Sequence, residues 1–228
     1  MMDFWIIPAL LSQFMFSFSS LIDKFLLSRK RIGDPYVYLA FAGIANILFL
    51  FILPFAGISK VSLYAFSMAF VSSTAAYAGF LFFYKAVKQE EISRITIFIQ
   101  ITPIIVLVLS YLFLKEVMGL LDFLGFSILL FAGFLVSYKK IKGRIIIGNP
   151  FYYAMIFSVL IAIAYITAKE FFNTTDFWNA VIWLRLTSLA AVLVLVSGRV
   201  RKNFKDTIKR LSLKTKSLLG AKISRSKS

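Results

Sequence analysis

Cysteine and histidine are both absent from this chain. Without a thiol there is no disulfide, no thiolate nucleophile and no Cys-held metal. Without an imidazole, the usual proton shuttle at neutral pH and the commonest metal ligand are missing as well. Acidic residues are also few, 10 against 26 Lys and Arg, so a carboxylate site has little to draw on. The adjacent pair Glu90-Glu91 lies in a basic turn, and no clustered acid marks a membrane-bound catalytic centre. These absences predict no enzyme: no catalytic residue, no metal site and no cofactor.

What is present is apolar. Hydrophobic residues make up 60% of the chain and aromatics 17%, more than a soluble domain can hide from water. Apolar runs bounded by charge, Pro or Gly give about seven candidate spans: 4–22, 36–57, 63–84, 95–114, 120–138, 151–168 and 177–197. Each approaches the roughly 20 helical residues that cross a ~30 Å hydrocarbon core. The expected fold class is therefore all-α, a polytopic transmembrane helical bundle. The start, Met1-Met2-Asp3-Phe4-Trp5, has no basic n-region, and an uncleaved first helix is expected there.

The connections alternate in charge. Lys24, Arg29, Lys30 and Arg31 follow the first span, Lys85, Lys88 and Arg94 the third, and Lys139, Lys140, Lys142 and Arg144 the fifth. The other connections hold only Lys60, Lys115 and Lys169. Basic loops resist translocation, which predicts an outside N-terminus and a cytoplasmic tail, in the plasma membrane. The same distribution accounts for the net charge of +16 without nucleic acid. In the tail from Arg199 onward, Phe204, Ile208, Leu211, Leu218 and Leu219 fall near helical spacing among cations. That tail is either a helix lying on anionic lipid headgroups or a solvated segment.

Polar residues inside the spans are the functional candidates. Gln13 and Ser17, Asn46, Ser73 and Tyr77, Gln100 and Thr102, and Arg185 make up this set. Ser and Thr commonly bond a carbonyl of their own helix, and Asn or Gln can join helices. Arg185, about two turns into its span, either snorkels to the headgroups or meets an anionic group. Pro103 removes a helical hydrogen bond at membrane depth. Ala65/Ala69/Ser73, Ala75/Gly79 and Gly133/Ser137 are small residues at four-residue spacing, which favours close helix contacts. A seven-helix retinal receptor would need a Lys in the seventh span, and there is none.

Ala86-Val87-Lys88 leading to Ser93-Arg94, then Ile101-Thr102-Pro103-Ile104, Leu112-Phe113-Leu114-Lys115-Glu116, Leu124-Gly125-Phe126 and Ala132-Gly133 resemble the end of an EamA-type repeat. Such repeats typify the drug/metabolite transporter superfamily, with a Pro in the fourth helix, a Gly-Glu type turn and a Gly-containing fifth helix. Lys115 stands where Gly is usual. The resemblance implies a first five-helix repeat over 1–138, a basic connection over 139–150, the first two helices of a second repeat over 151–198 and a basic cytoplasmic tail over 199–228. Trp183-Leu184-Arg185-Leu186 is similar to the opening of the family's second helix. The inverted-repeat architecture would thus be incomplete at the C-terminus, as in a shortened or truncated ten-helix protein.

The implied function is transport of a small organic solute by alternating access, in an apolar pocket near the midplane. Gln13, Asn46, Tyr77 and Gln100 are the expected hydrogen-bonding residues, and Arg185 the expected partner of an anionic solute group. The expected partners are the bilayer, the solute, and a second copy or partner subunit covering the open second repeat. A non-transporting membrane scaffold is the alternative. The family often has a cytoplasmic N-terminus, against the charge count given above.

Overall fold

The computed structural model describes residues 6–27, 32–46, 58–138, 148–189 and 198–209. Parts of the second and seventh expected spans, the loop 139–147, Arg29 to Arg31, and Leu211, Leu218 and Leu219 lie outside the described residues, as do the side chains of Gly133 and Ser137.

Among the described residues there is no strand. The helices are α1 (Ile6–Leu26), α2 (Pro35–Ala45), α3 (Leu63–Gln89), α4 (Ile92–Ile99), α5 (Thr102–Leu109), α6 (Leu120–Tyr138), α7 (Asn149–Thr174) and α8 (Phe177–Ser188). Residues 198–209 form a further helix, α9. Four helical stretches are long and apolar enough to cross a membrane, namely α1, α3, Arg94–Leu114 and α7, and Pro35–Ala45 and Leu120–Ala132 are shorter apolar helices.

Local chemistry starts these helices. Ser62 accepts from the Ala65 amide at the head of α3, and Asp176 does the same for Asn179 at α8. Asp34 caps α2 just ahead of Pro35, whose missing N–H would have no partner in a first turn anyway. The helices run several residues past the apolar spans into their charged flanks, because a Lys or Arg beyond the membrane surface is no obstacle to helix. The fourth span is broken where expected. Pro103 cannot donate to the carbonyl of Ile99, and α4 ends at that residue. A single π turn, Ser110–Leu114, ends α5, and Lys115 follows in left-handed backbone at φ 54°.

The largest packed face joins α3 and α7, which run antiparallel. Ser72 donates to the Ala164 carbonyl at 2.8 Å, while an added Cβ on Gly79 would sit 3.4 Å from Leu160 and Ile161. Ala65 and Ala69 are buried with Phe171 and Ala180. The small residues at four-residue spacing thus let α7 and α8 approach α3 closely. Phe83, Tyr84, Phe157 and Ile161 form the other cluster, nearer the opposite end of α3.

That end gathers the basic residues. Lys24, at the close of α1, donates to the carbonyls of Val87 and Glu90 at 2.5 and 2.7 Å, placing a cation on the C-terminus of α3. Tyr38 of α2 donates to Asp23 at 2.5 Å. Lys85, Lys88, Arg94 and Arg199 lie at the same end, where α3 finishes and α4 begins. At the other end Ser59 meets Asn179, Tyr64 meets Glu170, and Lys169 meets Glu116. Among the described residues, the cations of the first and third connections therefore lie at one end of the bundle, and Lys169 with its partner Glu116 at the other.

Candidate functional site

Three of the five expected binding residues converge. Asn46, at the end of α2, donates to the Tyr77 hydroxyl of α3 and to the Ala42 carbonyl one turn back. Arg185 of α8 donates to the Asn46 carbonyl oxygen at 3.1 Å. The guanidinium thus turns onto a neutral polar pair from two other helices. Tyr77 lies near the middle of the 27-residue α3, ~20 Å from either end at 1.5 Å per residue, so the cluster sits level with the midpoint of that helix, its mid-depth in the bundle.

Beside it is a cavity of about 460 Å³ lined by Tyr77, Arg185, Ser72, Ser73, Tyr165 and Ser188 among others. Ser73 and Thr187 share a 2.7 Å hydrogen bond, and Ser73 also donates to the Leu184 carbonyl. Those hydroxyls hold α8 on α3, so Ser73 bonds across helices where the sequence reading expected a bond within its own. Ser17 behaves as expected of an in-helix Ser and donates to the carbonyl of Gln13 at 2.9 Å.

Gln13 and Gln100 lie elsewhere. Both line a larger cavity of about 1290 Å³, with Thr102, Phe157, Tyr165 and Glu116. Tyr165 of α7 lines both cavities, so α7 stands between them. The single pocket expected from the sequence is thus two adjoining ones.

Thr102 departs from the expectation that Ser and Thr satisfy their own helix. It is 7% exposed, and its hydroxyl has no hydrogen-bond partner among the described residues. In the broken turn before Pro103, the carbonyl of Phe98 is approached by the Ile101 amide at 3.4 Å. A buried hydroxyl without a partner costs about 1–3 kcal/mol. Thr102 is thus an unused donor on the wall of the larger cavity.

Glu116 was missed by reading the sequence. Its Oε2 accepts from Ser110 and from Lys169, each at 2.6 Å, which joins the turn after α5 to the end of α7. The Lys169 and Ser110 hydrogen bonds hold its carboxyl below the usual 4.5. The sequence signal was the acidic residue of the Gly-Glu type turn. Its partner, 53 positions on, has no local signature.

Apolar helices, charge segregated to one end and a polar cluster at mid-depth define an integral membrane protein built as a helical bundle. The family model for the EamA-like transporter family matches residues 3–138. The chain belongs to that family, a membrane transporter family of the drug/metabolite type. No curated protein and no solved structure matches it.

Proposed function

We propose that the chain moves a small organic solute across the plasma membrane by alternating access, with its N-terminus outside and α9 in the cytoplasm. The observation that carries this reading is the Asn46–Tyr77–Arg185 cluster at mid-depth, where three helices supply hydrogen-bonding groups beside a cavity. An always-charged guanidinium at that depth suits a solute with a carboxylate or phosphate group. Gln13 and Gln100 would contact the solute in the adjoining cavity. The break at Pro103 supports a fourth span that bends between two states. Membership of the EamA-like family supports transport over a scaffold role.

Reconstitution into sealed liposomes, followed by counterflow of labelled organic anions, tests the proposal. Uptake above protein-free liposomes, saturable and competed by unlabelled solute, is expected. If no organic anion, cation or neutral solute in a broad panel moves, the scaffold reading replaces it.

A further inference from the structure

A third cavity, apart from the two described above, lies at the basic end of the bundle. It measures about 760 Å³, and α2, α3, α7 and α9 all contribute to its wall. Lys85, Lys88 and Arg199 line it, with Asp34, Tyr36 and Tyr153. The Lys85 ammonium rests over three rings, 4.9 Å from Tyr36, 5.0 Å from Phe82 and 5.9 Å from Tyr153. Asp34 is the one carboxylate in the wall, and both its oxygens are engaged: Oδ1 by the Tyr36 amide, Oδ2 by Asn203 at 2.9 Å. Lys88 and Arg199 have neither an ion pair nor a hydrogen bond among the described residues.

The fold holds this arrangement deliberately in one respect. Phe204 of α9 packs on Phe41 at 4.6 Å, and Val200 and Thr207 are buried, so α9 is docked and carries Arg199 to the wall. Three cations therefore line one space with a single carboxylate among the described residues, Asp34, leaving a net positive charge that an anion from outside would balance. We infer that this cavity binds a phosphate group. Arg199 offers the planar fork that grips two phosphate oxygens, and the lysines add point charges. The volume admits a phosphate together with a glycerol-sized substituent rather than a bare ion. The phosphate comes either from an anionic lipid headgroup, which the interfacial rings Tyr36 and Tyr153 would flank, or from a soluble organic phosphate.

The test uses the full chain in neutral detergent, with thermal unfolding midpoint and native mass spectrometry as readouts. Phosphatidic acid, phosphatidylcholine and glycerol 3-phosphate are titrated separately. Phosphatidic acid or glycerol 3-phosphate should raise the midpoint and phosphatidylcholine should not. The double variant Lys88→Gln/Arg199→Gln, at exposed positions, should weaken binding about tenfold or more. The control Arg201→Gln/Lys202→Gln removes the same charge from exposed positions of α9 outside the cavity and should stay within about twofold. Protection by phosphatidic acid alone assigns the site to a lipid headgroup, and equal protection by glycerol 3-phosphate assigns it to a soluble phosphate. Failure of both phosphates to bind, or equal loss in the two double variants, overturns the site.

Discussion

Glu116 and Lys169 meet at 2.6 Å across 53 residues of sequence, tying the turn that ends the fourth span to the last turns of α7. Because hydrogen bonds from Lys169 and Ser110 lower the carboxyl below its ordinary 4.5, the ionised form is favoured in the folded protein. The resulting stabilisation is full above the ordinary value and is lost as pH falls through the lowered one. Wild type should unfold at a higher temperature than Glu116→Gln at pH 7, and the two should converge once the pH has fallen below the lowered value. Both side chains are exposed, so the difference is small and should shrink further in high salt. A gap that is unchanged across that pH range would count against the ion pair.

Lys115 occupies left-handed backbone at φ 54°, a conformation that costs an L-residue about 1–2 kcal/mol and costs glycine nothing. This is the physical reason that glycine suits the position before Glu116. Lys115→Gly should raise stability by ~0.5–1 kcal/mol once the greater freedom of unfolded glycine is set against the relieved strain. Lys115→Val, β-branched, should lower it. Thermal unfolding of the two variants checks the pair, and the reverse order would show that the turn is not strained there.

At Gly79 the space is enough for a methyl and no more, since an added Cβ would lie 3.4 Å from Leu160 and Ile161 and 3.5 Å from Phe157. Gly79→Ala should fold normally. Gly79→Leu should force α3 from α7 and cost about 1–3 kcal/mol, seen as a lower unfolding midpoint. A fully stable Gly79→Leu would contradict the close packing of these helices.

The proposed orientation can be read directly, because the chain supplies a cysteine-free background. Single cysteines at the exposed positions Ser59 and Val117 should react in intact cells with an impermeant thiol reagent, while ones at Gln89 and Lys202 should not until the membrane is opened. The opposite pattern would give the cytoplasmic N-terminus that is frequent in the family.

Much of this fold was legible locally. Apolar length placed four of the seven expected spans, Pro103 placed the break, and small residues at four-residue spacing marked the close face of α3. Asn46, Tyr77 and Arg185 stood out because polar groups are rare in such segments. What sequence could not give was pairing across the bundle. The contact of Lys24 with the end of α3, of Tyr38 with Asp23 and of Lys169 with Glu116 each joins residues whose proximity depends on how helices pack. For the same reason Gln13 and Gln100, equal to the others as sequence candidates, fall in a different cavity. Nor could sequence give the contact by which Phe204, in the helix of residues 198–209, packs on Phe41 of α2.

Solute flux by the Arg185→Lys variant tests the central claim most directly. The guanidinium donates to Asn46 at 3.1 Å beside the mid-depth cavity, and an ammonium keeps the charge while losing the planar fork. In proteoliposomes of equal protein content, the variant should insert and fold yet transport an organic anion at least about tenfold more slowly, as expected for the loss of one charge-assisted contact. Flux equal to wild type would remove Arg185 from the solute's path and contradict the account.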